Sequence, residues 1–156
     1  VIYTSRDKAH KRMIETLDKG ESLPVDWQGQ LIYYAGPTPA KPGQAIGSIG
    51  PTTSSRMDAF APRLMDEAGL KGMLGKGPRS QEVIDAIARN GAVYMVAIGG
   101  TGAAISKSVK KAEVVAYDDL GTEAIRRLEI ENLAAIVAID AQGGNLFETG
   151  RAQYAE

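Results

Sequence analysis

Short apolar runs alternate with segments of helical period along this chain, and glycines stand at many of the joins. That rhythm restricts the fold more than any other feature, because strands that alternate with helices build an α/β sheet. Glycine reaches 18 of 156 residues, above the ~7% average, and the excess falls in turns, as many short strand–helix junctions require. Val1-Ile2-Tyr3 opens as a strand. Residues 6–19 read as a helix, with Ser5 as N-cap and Ala9, Met13, Ile14 and Leu17 on one face. Leu31 to Ala35 is a short strand, and residues 36–51, with Pro37, Pro39, Pro42 and Pro51, are an irregular connection. Residues 53–68 read as one helix that ends at Gly69. Lys71 to Leu74 is a short strand, and Ser80 caps a helix over 81–89. Residues 92–98 form the clearest buried strand. Beyond it come a short helix near 103–109, a strand at 112–117, a helix at 122–129 capped by Thr122, and a strand at 134–139. Neither repeats nor low-complexity segments occur.

The bulk numbers exclude several functions. A chain of 156 residues is one domain with room for a core. Its net charge of −1 lacks the basic excess that phosphate contacts need, so nucleic acid is not an expected partner. No apolar run approaches the ~20 residues of a membrane span, and residues 1–12 are too polar for a signal peptide. The expected location is the cytoplasm. With no cysteine, the chain can form no disulfide and can hold no iron–sulfur cluster by its own thiolates. Its single His10 cannot build a zinc site alone. A metal cluster, if one is used, must come from another polypeptide.

Chemistry concentrates in the run Gly50-Pro51-Thr52-Thr53-Ser54-Ser55-Arg56-Met57-Asp58. A Gly-Pro breaker is followed by four hydroxyl side chains and then an arginine, where a helix is expected to begin. An anion there would meet backbone N–H donors, hydroxyls and a guanidinium together. The plainer reading is an N-cap with spare hydroxyls. Arg6 and Lys76 also stand at helix-start or glycine-flanked positions in separate segments. Alone, three such cations are most simply solvated surface charges.

A second run, Thr4-Ser5-Arg6-Asp7-Lys8-Ala9-His10-Lys11-Arg12, joins the first and Gly75-Lys76-Gly77 in a larger pattern. It continues through Gly99-Gly100-Thr101, Asp119-Leu120-Gly121-Thr122-Glu123-Ala124-Ile125 and Asp140-Ala141-Gln142-Gly143-Gly144-Asn145-Leu146-Phe147. In this order and spacing, nearly the whole chain resembles the C-terminal domain, or separate beta subunit, of the class I iron–sulfur hydro-lyases, fumarase and L(+)-tartrate dehydratase. The resemblance implies a swivelling β/β/α fold, which periodicity alone does not reach. Family members carry a short segment before the point where this chain begins. Residues 1–156 are therefore expected to be one domain that lacks a short N-terminal segment.

The resemblance also implies roles. Arg6, Arg56 and Lys76 match residues that bind substrate carboxylates, work suited to guanidinium forks and a lysine point charge. Thr52 is the expected proton-transfer residue. A threonine hydroxyl is a poor base unless cations stabilise its alkoxide or a carboxylate takes the proton onward. Arg56 would supply the cation, and the carboxylate would come from a partner. Thr53 is the second candidate, and capping remains the plain alternative for both. His10 is a secondary candidate for proton transfer, with orientation of a neighbour by hydrogen bond as its plainer duty. Gly99 to Gly102 reads as a tight junction lining the site, and Asp118-Asp119 as turn residues rather than a cation site. The expected partner is a fumarase-type alpha subunit, as α2β2, that carries a [4Fe-4S] cluster on three cysteines. The expected substrate is a dicarboxylate, fumarate or alternatively tartrate. A non-catalytic anion-binding assembly module is the reading from a different class.

Overall fold

The computed structural model describes residues 1–38, 42–43, 45–97, 105–131, 133, 135–142 and 144–145. Seven strands form one mixed sheet: β1 (Ile2–Thr4), β2 (Leu31–Tyr33), β3 (Gly72–Gly75), β4 (Val93–Ala97), β5 (Val109–Ala116), β6 (Ile125–Ile130) and β7 (Ala135–Ile139). Their order is β5-β6-β1-β2-β3-β4-β7. Strands β1 to β4 are parallel neighbours, flanked by antiparallel β6 and β7. The helices α1 (Asp7–Asp18), α2 (Ala61–Ala68) and α3 (Gln81–Asn90) connect successive parallel strands. Because those strands are added in one direction and such crossovers share one hand, all three helices fall on one face. The fold is α/β, as the alternation of elements requires.

Strand alternation divides the core in two. Ile32, Met73, Tyr94 and Ile125 pack with Ala9 and Met13 of α1, Leu64 and Met65 of α2, and Val83 and Ile87 of α3. Tyr33, Leu74 and Leu128 face the other way, against Ile46, Ile49, Ile105 and Val109. Met13, Leu64 and Ile87 are fully buried, so truncating any one to alanine is expected to cost about 2–5 kcal/mol.

Several local expectations are corrected. Residues 122–129 are not a helix: a 3-10 turn (Asp118–Glu123), containing Thr122, leads directly into β6. Ile125 and Leu128 are spaced like one helical face, but they point to opposite sides of a strand and enter different cores. Pairing with β1 and β5 overrides the helical propensity of the Arg-Arg-Leu-Glu stretch. The single helix expected over 53–68 is divided into a 3-10 turn (Ser54–Met57), a hydrogen-bonded turn over 58–60, and α2, which begins just before Pro62. Arg6, not Ser5, is the N-cap of α1. Residues 109–111, part of the short helix expected near 103–109 and of the connection after it, are already strand β5. Ser80 does cap α3, and Gly69 closes α2 in left-handed backbone at φ 78°. Among the described residues no helix is long and apolar enough to cross a membrane.

Candidate functional site

The four parallel strands end on the same edge of the sheet, so the loops that follow them collect there. Strand β1 delivers Ser5 and Arg6, β2 delivers Tyr34 to Gly36, and β3 delivers Lys76. Strand β4 ends at Ala97 on the same edge, but Gly99-Gly100-Thr101-Gly102 lies outside the described residues. Phe147 and the end of the last family-like run lie outside them as well.

The hydroxyl run is pinned against these strand ends. The Thr52 amide donates to the Tyr34 carbonyl at 2.7 Å. Thr53 pairs with Lys76 as an isolated parallel bridge. The Ser54 amide donates to the Lys76 carbonyl at 2.9 Å, and the Lys76 amide donates to Ser54 Oγ at 3.0 Å. Residues 52–54 therefore extend the sheet edge beyond β2 and β3 rather than open a long helix. Thr53 is the N-cap of the short 3-10 turn but makes no side-chain cap hydrogen bond. The expected anion site at a helix N-terminus is corrected accordingly: one 3-10 turn carries little macrodipole, and the charge at this edge comes from side chains.

Close approach explains two glycines here. A Cβ on Gly75 would lie 2.0 Å from Ser54 Oγ and 2.8 Å from Tyr34 Cδ2. Ser54 is buried, and its Oγ lies 2.7 Å from the Tyr94 hydroxyl. That hydroxyl spends its single proton on the Gly77 carbonyl at 2.7 Å, so Ser54 is the donor in the first bond. At Gly36 a Cβ would meet the Thr122 carbonyl at 2.6 Å and Arg6 Cδ at 2.8 Å. The stem of Arg6 thus lies on bare backbone between β2 and the 3-10 turn before β6.

The three cations differ in their surroundings. Arg6 is half-buried, and its Nε has no hydrogen-bond partner among the described residues. Arg56 Nη2 pairs with Asp7 Oδ2 at 2.7 Å, with about half of the arginine side chain exposed. Lys76 is exposed and forms no ion pair among the described residues. Thr52 is half-buried and Thr53 exposed. The structure therefore brings Arg6, Arg56, Lys76, Thr52 and Thr53 to the segments that follow the strands at one edge of the sheet.

His10 sits one layer behind, fully buried on α1. Its Nδ1 lies 2.8 Å from the Arg6 carbonyl and 2.9 Å from Ser5 Oγ. A carbonyl can only accept, so Nδ1 carries the proton. Nε2 is buried with no partner among the described residues, beside the rings of Tyr34 and Phe60. Burial pushes the imidazole down to about 4, so it is neutral at pH 7.

Sequence reasoning assigned no role to Asp7, Asp58 or Arg79. Asp7 and Asp58 were visible within the two motif runs, and Arg79 follows a glycine and a proline just beyond Lys76. Arg79 is fully buried, and its Nε donates to Asp58 Oδ1 at 2.6 Å. A cavity of about 350 Å³ is lined by Pro37, Ile46, Ala112, Thr122 and Arg126, on the Thr122 side of the Arg6 stem. None of the expected site residues is among its described lining. Among the described residues no group of three or more His, Cys, Asp or Glu could hold a metal ion. With no thiolate in the sequence, an iron–sulfur cluster does not fit the residues of this chain.

Comparison with known proteins places the chain in a family. The family model described as "Fumarase C-terminus" matches residues 1–150. The "Fumarate hydratase class I, aerobic" of Salmonella typhimurium is 42% identical over 148 residues, 94% of this chain and 26% of that protein. "Fumarate hydratase 1, mitochondrial" of Leishmania major is 40% identical, over 94% of this chain and 27% of its own length. The chain thus spans about a quarter of these hydratases. A Methanocaldococcus jannaschii protein named for an L(+)-tartrate dehydratase subunit beta is 38% identical over 152 residues, 94% of this chain and 78% of that protein. Its relatives are hydro-lyases by name, its match runs from the first strand past the last, and the residues gathered at the sheet edge belong to the matched region: the chain belongs to the fumarase C-terminus family.

Proposed function

We propose that this chain is the beta subunit of a two-subunit, class I-type fumarate hydratase, which catalyses reversible hydration of fumarate to (S)-malate. The observation that carries this reading is the gathering of Arg6, Arg56, Lys76 and Thr52 at the carboxyl ends of β1, β2 and β3. Three cations from three loops suit a substrate with two carboxylates, since each carboxylate can take a guanidinium fork or an ammonium. The open edge, with Arg56 and Lys76 exposed, suits a site completed by a second polypeptide.

Within that site the chain has two tasks. Arg6, Arg56 and Lys76 hold the carboxylates and set the position of the two carbons between them. Thr52 Oγ, as alkoxide, takes the proton from malate C3 while the C2 hydroxyl leaves and is protonated to water by an acid outside this chain. In the hydration direction Thr52 returns the proton to C3 as water loses one to that outside group and adds at C2. Arg56, four residues on, favours the alkoxide electrostatically. His10, buried and neutral, orients the Arg6 backbone rather than carrying the proton. The [4Fe-4S] cluster and the carboxylate that relays the proton belong to a fumarase-type alpha subunit, with α2β2 as the assembly.

A second reading, the beta subunit of an L(+)-tartrate dehydratase, is favoured by the Methanocaldococcus relative, because the chain covers 78% of that separate polypeptide. The same chain, reconstituted anaerobically with its alpha partner, iron and sulfide, separates the readings. Turnover of fumarate supports the first, and turnover of L-tartrate with little on fumarate supports the second. A stable complex active on neither would make the chain a non-catalytic anion-binding module. Fumarate turnover by the isolated, metal-free chain would overturn the two-subunit reading.

A further inference from the structure

Arg79 follows β3 by four residues, and its guanidinium is enclosed where β2, β3 and β4 lie side by side. It stands over the Tyr34 ring at 5.0 Å and the Tyr94 ring at 4.8 Å. Nε donates to Asp58 Oδ1 at 2.6 Å, and Nη2 donates to the Tyr34 hydroxyl at 3.0 Å. Nη1 lies 3.7 Å from Met73 Sδ. Asp58 uses its second oxygen to accept the Ser80 amide at 2.8 Å. One buried charge therefore joins the end of the hydroxyl run to the loop that carries Lys76.

These partners are the immediate supports of the candidate site. The Tyr34 carbonyl holds the Thr52 amide. Asp58 follows Arg56 by two residues at the end of the same 3-10 turn. Tyr94, the second ring over Arg79, contacts Ser54 Oγ, which in turn takes the Lys76 amide. A buried ion pair is weak evidence for stability, since apolar residues of similar volume often serve as well. Its geometry is nonetheless demanding. Only a planar fork can reach a carboxylate and a phenol at once while stacking between two rings. Lysine could keep the charge but not that set of contacts.

We infer that Arg79 is a positioning residue for this site: with Asp58 it fixes the separation between the Thr52–Arg56 segment and Lys76, without itself touching substrate. This rests on the reading of Thr52, Arg56 and Lys76 as the working residues.

The test uses Arg79→Lys in the assembled complex and in the full chain. In a complex that melts near the wild-type temperature, kcat should fall about 10²-fold, the scale of a misplacement near 1 Å. Hydrogen exchange on the chain alone should quicken at the amides of Thr52, Ser54, Lys76 and Ser80, while Leu74 and Ile87 keep wild-type protection. Wild-type kcat in the variant would overturn the proposal. So would uniformly faster exchange, which marks Arg79 as merely stabilising. If Arg79→Lys fails to fold, Asp58→Asn carries the same expectations and the same refutation. Should the wild-type complex neither hydrate fumarate nor dehydrate tartrate, the proposed function fails, and the exchange pattern alone still decides whether Arg79 sets the two loops.

Discussion

Asp7 Oδ2 lies 2.7 Å from Arg56 Nη2, so the cation that follows β2 is held by the helix that follows β1. The pair is partly exposed, and such pairs contribute about 0–1 kcal/mol. On the proposed function, its value is in aiming Arg56 before the dicarboxylate arrives. Asp7→Asn should leave the melting temperature within a few degrees of wild type and raise KM for the dicarboxylate several-fold, with kcat changed less. Steady-state kinetics of the reconstituted complex beside a thermal melt check both parts, and an unchanged KM would show that Asp7 does not aim Arg56.

Removing the clamp should be costlier. A charged hydrogen bond is worth about 1.5–3 kcal/mol, so Arg6→Met or Lys76→Met should lower kcat/KM by roughly ten- to a hundredfold. Wild-type kinetics in both variants would put these cations outside the site.

Thr52 and Thr53 are adjacent but differently set: the first is half-buried with its amide on the Tyr34 carbonyl, the second exposed and paired with Lys76. Thr52→Val keeps the shape and removes the hydroxyl, so kcat should drop by the ~10²–10⁴ of a positioned acid–base group. Exchange of the malate C3 proton with deuterated solvent should slow in parallel. Thr53→Val serves as the comparison. If it is crippled while Thr52→Val is nearly normal, the proton moves on the other hydroxyl.

Gly75 has no room for a side chain, since a Cβ would lie 2.0 Å from Ser54 Oγ. Gly75→Ala must push Ser54 away from Tyr94 and from the Lys76 amide. Overpacking of this kind costs about 1–3 kcal/mol, measurable as a lower urea midpoint at unchanged slope. A wild-type midpoint would mean that the contact relaxes freely.

His10 links stability to pH. Its pKa is depressed by burial from 6.5 to about 4, so between those values the unfolded chain binds a proton that the folded one refuses. Stability from this group is complete above about pH 6.5 and is lost as pH falls toward 4. The lost contribution is on the order of 3 kcal/mol. In His10→Gln the difference in slope from wild type should appear in that window and vanish above it. Parallel unfolding curves from pH 4 to 7 would refute a neutral buried imidazole.

Much of this protein could be read from residues in order. The alternation of apolar runs, Ser80 before α3 and Gly69 after α2 act within a few residues of themselves, and they gave the α/β class and most element positions. The runs that carry Arg6, Thr52, Arg56 and Lys76 were visible too, because a motif keeps its residues adjacent. Failures came where distant chain decides local form. Ile125 and Leu128 have helical spacing, yet β6 is a strand because β1 and β5 offer its backbone partners on both sides. The hydroxyl run looked like a helix start, yet Lys76 of another loop draws it into a bridge. No spacing rule could pair Asp7 with Arg56 or Asp58 with Arg79, since each pair joins loops that meet only when parallel strands align their ends. Local propensity and motif order are properties of neighbours in sequence. The register of a sheet, and the burial that makes His10 neutral and Arg79 fixed, exist only after the chain has closed on itself.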